Sequence, residues 1–184
     1  MAAIYCSQCG TKLVPTLIND ETRQACPNCS YVDWGNYSIS VGAIVIKDHK
    51  VLLVERNQMP GKGNWTNPGG YIEQNEILSE GVVREITEEL SIKVQPRDII
   101  MIADKPGATH NTYIAFIADY VSGNITIDPK EVIAADFFTL EEMKTMQIPP
   151  LTQEIILTAL KHKSGLLTSP KDQADVNGFQ IYNL

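Results

Sequence analysis

Glutamates crowd one fourteen-residue stretch of the chain, from Glu76 to Glu89. Glu85, Glu88 and Glu89 stand at i, i+3 and i+4, the spacing that places side chains above one another on one helix face. Asn75 is the expected N-cap of that helix. Like charges at this spacing repel by roughly a few tenths of a kcal/mol per pair, and a cation offsets the repulsion. Because Mg²⁺ and Mn²⁺ prefer carboxylate oxygens, the spacing predicts a divalent-metal site, with a solvated acidic face as the alternative.

A longer pattern surrounds these glutamates. It consists of Gly70, five residues, Glu76, seven residues, Arg84-Glu85-Ile86, one residue, Glu88-Glu89 and then Ile92. This pattern resembles the Nudix box, the signature of hydrolases that use a divalent metal to cleave diphosphates linking a nucleoside to another moiety. The family's glycine after the glutamate pair is Ser91 here. That position lies past the helix end, where left-handed backbone is unstrained only for glycine, so we expect serine to cost on the order of 1 kcal/mol.

The resemblance implies roles for individual residues of the box. Metal ligands are expected at the carbonyl of Gly69 and the carboxylates of Glu85, Glu88 and Glu89. Glycine suits the first position because a side chain would obstruct the approach of an ion and a phosphate. An ion pair between Glu76 and Arg84 is expected to fix the loop ahead of the helix.

A further acid follows the box. Residues 128–138 resemble the segment where many Nudix enzymes carry another glutamate ahead of an aromatic-bearing strand, and that glutamate is Glu131 here. We expect it to bind metal or to orient water, with an ordinary loop acid as the alternative. The catalytic proton acceptor is therefore expected among Glu85, Glu88, Glu89 and Glu131.

Three residues outside the box are candidates for substrate binding. Arg56 could contact an anionic group, Trp65 could stack on a base, and Tyr113 lies near the start of a predicted strand beside the cleft. Each has a structural alternative, because surface arginines are common and large aromatic residues more often pack in a core.

All four cysteines lie in the first 29 residues, as Cys6-x2-Cys9 and Cys26-x2-Cys29 with sixteen residues between the pairs. This spacing predicts a tetrahedral Zn²⁺ site. Four thiolates close the coordination sphere, so we expect the zinc to be structural. Two disulfides are the alternative, and the lack of a secretion signal argues against them.

Composition narrows the class of protein. The chain has 184 residues, of which 43% are hydrophobic and 20% charged, which is typical of a globular protein with one ordinary core and a small appendage. A formal net charge of −7 argues against nucleic acid as a partner. No apolar run approaches the ~20 residues needed to span a bilayer, and the N-terminus lacks a basic region followed by an apolar core. We therefore expect a cytoplasmic protein that does not bind membranes.

The order of motifs predicts three segments: a zinc ribbon at residues 1–36, a Nudix domain at 37–163 and a C-terminal tail at 164–184. The fold class is α/β or α+β, and the resemblance implies a mixed β-sheet sandwiched between helices. Helices are expected at 140–146 and 151–162, separated by Pro149-Pro150. Apolar residues are scattered through the tail. The tail could therefore be loose or could dock on a second subunit, which would make a homodimer.

The function that the resemblance implies is metal-dependent hydrolysis of a nucleoside diphosphate linked to another moiety, releasing a nucleoside monophosphate. The expected cofactors are catalytic Mg²⁺ or Mn²⁺ and structural Zn²⁺. Candidate substrates are ADP-ribose, FAD and NADH, in that order. NADH comes last because the Ser-Gln-Pro-Trp-Pro-Phe type sequence of NADH pyrophosphatases is absent. The alternatives are a nucleotide-sensing or nucleic-acid-binding regulator that uses the ribbon, and an RNA-decapping hydrolase.

Overall fold

The computed structural model describes residues 3–161, 165–168 and 182–183. The chain divides into two compact units, one formed by Met1–Ser38 with Asp104–Asn111 and the other by Ile39–Ala103 with Thr112–Leu184. None of the helices in the described part of the chain has the length and apolar character that a membrane span requires.

The first unit is built on a small antiparallel sheet. Its strands are β1 (Val14–Ile18), β2 (Glu21–Ala25) and β3 (Val32–Asp33), in the order β1-β2-β3. Asn19 and Asp20 join β1 to β2 with φ angles of 49° and 64°, as expected for a two-residue hairpin turn with positive φ at both positions. Leu13 packs with the buried Cys6 and Cys26 in a small core that belongs to this unit.

The second unit contains a mixed sheet of nine strands. In chain order these are β4 (Tyr37–Lys47), β5 (Lys50–Arg56), β6 (Trp65–Thr66), β7 (Gly69–Tyr71), β8 (Lys93–Lys105), β9 (His110–Ser122), β10 (Val132–Phe138), β11 (Leu166–Thr168) and β12 (Tyr182–Asn183). The main path runs β10-β5-β4-β9-β8-β11-β12, while β6 pairs with β5 and β7 pairs with β4. The turn between β4 and β5 places Asp48 and His49 at φ angles of 50° and 61°.

In the part of the chain that the structure describes, the sheet is covered by the helices α1 (Leu78–Leu90), α2 (Leu140–Met143) and α3 (Pro150–Lys161). Alternate residues of β4 enter different cores. Val41 and Val45 pack in the core that contains Val82 of α1, whereas Ile44 packs in the core that contains Ile155 of α3. Because successive side chains of a strand point to opposite faces, the sheet lies between α1 on one side and α2 and α3 on the other. The predicted sandwich of a mixed sheet between helices is confirmed.

The ends of α1 differ in how well they were predicted. The N-cap is Ile77, so the expectation of a cap at Asn75 is wrong. The turn before the helix is instead held by the Glu76 carboxylate, which accepts the Glu73 N–H at 2.7 Å. At the other end, Ser91 has φ 56° and ψ 24°, which confirms the expected left-handed position.

Most of the predicted tail at 164–184 lies outside the described residues. In the part that is described, β11 pairs with β8, with Leu166 opposite Ile99, and β12 pairs with β11. Docking of this segment on a second subunit stays a prediction.

Candidate active site

The charged residues of α1 fall on two stripes of the helix. At 3.6 residues per turn, positions four apart differ by only about 40° around the axis, so Glu85 and Glu89 lie on one stripe. Arg84 and Glu88 share the neighbouring stripe for the same reason and form an i, i+4 ion pair at 3.1 Å. The three acids predicted to share one face are therefore divided between two.

Glu89 is the most deeply placed of these acids, with only 6% of its surface exposed. Its Oε2 accepts the backbone N–H of Gly69 at 3.1 Å, which ties α1 to β7. Burial raises the pKa of this carboxyl to about 8, and the nearby carboxylates of Glu85 and Glu131 act in the same direction. A buried acid beside two others is a position where a cation is strongly favoured.

The backbone of β7 lies directly against these acids. A β-carbon at Gly70 would collide with the carboxylate of Glu85, and one at Gly69 would collide with the backbone of Val41 and Gly42. Gly69 also has φ 146°, a conformation that residues with side chains rarely adopt. Gly69 therefore needs to be glycine, whereas a side chain at Gly70 would require the Glu85 carboxylate to move.

Arg84 ties the segment ahead of α1 to Glu85 on the helix. Its guanidinium donates to Glu76 at 2.6 and 2.9 Å, to Glu85 at 2.8 Å and to the carbonyl of Tyr71 at 2.9 Å. The hydrogen bonds from Arg84 lower the pKa of Glu76, whereas burial raises the pKa of Glu85 despite the same partner. The predicted ion pair between Glu76 and Arg84 is confirmed.

A cavity of about 410 Å³, which we call the acidic cleft, opens over β7 and α1. Of the residues predicted for the site, it is lined by Arg56, Gly69, Glu85, Glu89, Tyr113 and Glu131. The sequence interpretation missed Ser40, Gln58, Tyr71 and Glu73, which also line it. Glu73 lies inside the glycine-to-glutamate spacer of the box, where any residue type fits the pattern, so the pattern itself could not single it out.

Two predicted site residues do not line the acidic cleft. Glu88 has 60% of its side chain exposed and is held by Arg84 on the neighbouring helix stripe. Trp65 packs edge-on against Phe138, with ring centroids 5.0 Å apart, in the core that contains α3. This contact places Trp65 at the core on the α3 side, and stacking of its ring on a base stays a prediction.

Tyr113 is fixed at the wall of the cleft by a buried amide. Its hydroxyl oxygen accepts a hydrogen bond from Nδ2 of Asn67 at 2.6 Å, and Asn67 is only 7% exposed. Burial raises the pKa of Tyr113 to about 12. The residue is thus a neutral phenol that keeps its own O–H hydrogen to donate.

The cleft residues fit a hard divalent cation by their chemistry. The donors are carboxylate oxygens, which Mg²⁺ and Mn²⁺ prefer, and burial disfavours the charged form of Glu89 unless a cation offsets the charge. The carboxylate oxygens of these acids lie farther from one another than the ligand atoms of a closed metal site would. Among the residues that the structure describes, only the cysteines bring three or more potential ligand atoms within 4.8 Å of one another.

The cysteine cluster has the dimensions of a four-sulfur metal site. The sulfurs of Cys6 and Cys29 are 3.6 Å apart, and Cys9 lies 3.5 Å from Cys26 and 3.9 Å from Cys29. Four sulfurs placed tetrahedrally at about 2.3 Å from zinc would be about 3.8 Å from one another. All four cysteines are free thiols, so the disulfide alternative is wrong. The cluster can therefore hold a metal ion.

Comparison with known proteins agrees with this geometry. A family model described as the NUDIX domain matches residues 36–157. The NAD-capped RNA hydrolase NudC of Photorhabdus laumondii is 32% identical over 147 residues, which are 79% of this chain and 54% of that protein. The ADP-ribose pyrophosphatase of Methanocaldococcus jannaschii is 32% identical over 133 residues, covering 70% of this chain and 76% of that protein.

Solved structures show the same fold. A NUDIX hydrolase from Nitrosomonas europaea superposes with a TM-score of 0.77 at 26% identity, over 90% of this chain and 95% of that one. The chain belongs to the Nudix family. It spans about half the length of the NudC proteins that it matches.

Proposed function

We propose that this protein hydrolyses the diphosphate bridge of a nucleoside diphosphate linked to a second moiety, with ADP-ribose the favoured substrate. The observation that carries the proposal is the meeting of Glu85, Glu89 and Glu131 with Arg56 in one cleft beside a glycine pair. A diphosphate needs both a cation to neutralise it and a carboxylate to take a proton from water.

The roles of the cleft residues follow from their positions. Glu85 and Glu89, with the carbonyl of Gly69, would hold Mg²⁺ or Mn²⁺, and Glu88 would join them by turning away from Arg84. The bound ion would neutralise the diphosphate and lower the pKa of the attacking water. Arg56 would pair with a phosphate oxygen at the mouth of the cleft.

The proton acceptor is Glu131 or one of the helix glutamates. Glu131 follows the turn that begins at Asp128, and its carbonyl accepts the N–H of Asn57 at 2.7 Å. This bond anchors the backbone of Glu131 beside β5 while its side chain faces the cleft. Glu131→Gln separates the two assignments, because loss of the proton acceptor lowers kcat without weakening metal binding.

ADP-ribose is favoured over an NAD-linked substrate for two reasons. This chain covers most of the archaeal ADP-ribose pyrophosphatase but only about half of each NudC protein. It also lacks the Ser-Gln-Pro-Trp-Pro-Phe type sequence of NADH pyrophosphatases. NAD-capped RNA remains the second candidate because of the similarity to the NudC proteins.

A substrate panel tests the proposal. Purified protein with Mg²⁺ is incubated separately with ADP-ribose, FAD, NADH and NAD-capped RNA, and the nucleoside monophosphate released is quantified. The expected result is AMP release, fastest from ADP-ribose and abolished by a chelator. Turnover restricted to capped RNA would transfer the assignment to the second candidate. Nucleotide binding without turnover of any member would favour a sensor.

We further infer that the four cysteines bind one structural Zn²⁺, and that residues 1–36 form a zinc ribbon ahead of a Nudix domain at 37–163. Backbone N–H groups support two of the sulfurs. Gln8 donates to the sulfur of Cys6 at 3.4 Å and Asn28 donates to the sulfur of Cys26 at 3.4 Å, so the first cysteine of each pair is held by the backbone two residues later. A closed four-sulfur sphere leaves no position for substrate, so the zinc would stabilise the first unit and take no part in hydrolysis.

A further inference from the structure

Tyr113 and Asn67 form a polar pair at the wall of the acidic cleft, although they are 46 residues apart in the chain. Nδ2 of Asn67 donates to the phenol oxygen at 2.6 Å, and only 7% of Asn67 is exposed. Polar side chains that are removed from water cost free energy, which one hydrogen bond offsets only in part. Two apolar side chains would pack here without that cost, so the pair needs a role beyond packing.

The backbone leaves room for this pair because residue 42 is glycine. A β-carbon at Gly42 would collide with the Tyr113 hydroxyl. It would also lie 2.6 Å from Nδ2 of Asn67 and 2.8 Å from the carbonyl oxygen of Pro68. Gly42 of β4 stands opposite Gly69 of β7 in the register of the sheet. The Tyr113 hydroxyl is therefore seated beside the glycine pair, where the carbonyl of Gly69 is a candidate metal ligand.

The hydrogen bond from Asn67 determines which group of Tyr113 is left unused. The orientation of the amide is fixed because Nδ2 also donates to the carbonyl of Pro68, at 3.4 Å, whereas the amide oxygen in that place would face a second acceptor. The phenol oxygen therefore accepts, and its own hydrogen points elsewhere. The hydrogen bonds of the described residues include no acceptor for that hydrogen. It is available to a molecule bound in the cleft.

The surroundings of the hydroxyl indicate the kind of acceptor. Arg56 and Glu89 are near enough to act on the pKa of Tyr113 in opposite directions. Both line the acidic cleft, where the diphosphate and its metal ion are expected. Among the described residues that line the cleft, Arg56 is the one cationic side chain, so a bound diphosphate needs further donors. A phosphate oxygen is a strong acceptor that would satisfy the hydrogen of Tyr113.

We propose that Tyr113 donates its O–H to a phosphate oxygen of the bound diphosphate, and that Asn67 is the positioning residue that holds the phenol in this orientation. The inference rests on the proposed function and adds to it two residues that lie outside the Nudix box. Burial raises the pKa of Tyr113 to about 12, so the hydrogen is shared with the phosphate and is not transferred. A fixed neutral donor stabilises the charge that accumulates on that oxygen as the bridge breaks.

Calorimetric binding of methylenediphosphonate to zinc- and Mg²⁺-loaded protein tests this contact without requiring turnover. The probe has two phosphonate groups joined by a carbon bridge that cannot be hydrolysed, and it has no nucleoside. We expect Tyr113→Phe to weaken its binding by about tenfold or more, because a hydrogen bond to a charged group is lost. Tyr120→Phe is the matched control on β9, since the Tyr120 hydroxyl donates to the carbonyl of Gly123 and does not line the cleft.

Asn67→Leu tests the positioning role separately. Leucine has the same branching as asparagine but no donor, and we expect this variant to weaken binding of the probe about threefold. The double variant should bind no more weakly than Tyr113→Phe alone, because Asn67 acts through the phenol. Losses that multiply in the double variant would overturn the positioning role. The Tm of each variant confirms that folded protein is compared.

The proposal is overturned if Tyr113→Phe binds the probe as tightly as the wild type, or if the wild type does not bind it. Tyr113→Phe should also lower kcat with ADP-ribose by about 10²-fold and leave its pH profile unchanged. A shifted profile would indicate proton transfer and would equally overturn the proposal. Weakened probe binding together with no hydrolysis of any diphosphate would reject the proposed function and leave the hydrogen bond standing. Hydrolysis that is insensitive to Tyr113→Phe would do the reverse.

Discussion

The Glu89 carboxylate is hydrogen-bonded to the backbone N–H of Gly69 across the junction of α1 and β7, at 3.1 Å and almost out of contact with solvent. One such bond is not enough to stabilise a buried negative charge, which is why burial keeps the pKa of Glu89 at about 8. A buried acid of this kind destabilises the metal-free fold at neutral pH and makes a bound cation stabilising.

The stability of the metal-free protein should therefore depend on pH through Glu89. Between pH 4.5 and pH 8 the folded state keeps a proton that the unfolded chain has released. The free energy of unfolding then falls as pH rises, by up to about 1.4 kcal/mol per pH unit from this group. Urea unfolding in the presence of a chelator measures the slope, and Glu89→Gln should flatten it. An equal slope in wild type and variant would show that Glu89 does not titrate in this range.

Arg84 should stabilise the protein mainly when the cleft holds no metal, because its cationic group then lies against Glu85 and Glu88. We expect Arg84→Met to lower the free energy of unfolding by about 1–2 kcal/mol without Mg²⁺ and by less with saturating Mg²⁺. The control is Arg97→Met, which removes an exposed 3.5 Å pair with Asp119 and should cost less than about 0.5 kcal/mol. Equal losses with and without Mg²⁺ would contradict the prediction.

Replacing Ser91 should stabilise the helix end. Its left-handed backbone carries strain that glycine lacks, so Ser91→Gly is expected to add ~0.5–1 kcal/mol and to raise Tm by about 1–4 °C. Ser91→Ala keeps a β-carbon and should bring no such gain. Calorimetry of the two variants measures both changes in Tm. An alanine variant that is stabilised as much as the glycine variant would show that backbone strain at Ser91 is not the cause.

Cys26→Ser should release the metal of the first unit. The expected result is a fall from one zinc per chain to a small fraction, because three thiolates bind far more weakly than four. Ser30→Ala changes an exposed neighbour that is not a ligand and should retain the zinc. Elemental analysis after dialysis gives the stoichiometry, and one full equivalent in Cys26→Ser would reject the four-thiolate site.

Local spacing predicted the helix, and the resemblance to the Nudix box predicted the left-handed position of Ser91 and the ion pair between Glu76 and Arg84. All three involve residues close together in the chain. The separation of Glu88 from Glu85 and Glu89 on two stripes of α1 could not be predicted from spacing. Arg84 lies four residues before Glu88 and draws it outward, while the packing of α1 on the sheet carries Glu89 inward. Spacing on one helix does not state which stripe the sheet will cover.

Contacts between segments that are distant in the chain could not be predicted from local sequence patterns either. Trp65 packs on Phe138, 73 residues later in the chain, and this contact removes its ring from the acidic cleft. A second cavity, of about 320 Å³, is likewise lined by the loop after β5 and by α3, which no motif connects. Motifs could predict candidate metal ligands, whereas cavities between distant segments are visible only in the fold.

The acids of the cleft are expected to hold the divalent ion on which hydrolysis depends. Titration with Mn²⁺ of zinc-loaded protein, followed by the electron paramagnetic resonance signal of free Mn²⁺, tests it most directly. We expect Glu85→Gln to weaken binding by at least about tenfold and to lower kcat with ADP-ribose by about 10²-fold, with Glu80→Gln on the same helix as a silent control. Mn²⁺ binding that is equally tight in wild type and Glu85→Gln would show that Glu85 does not hold the ion.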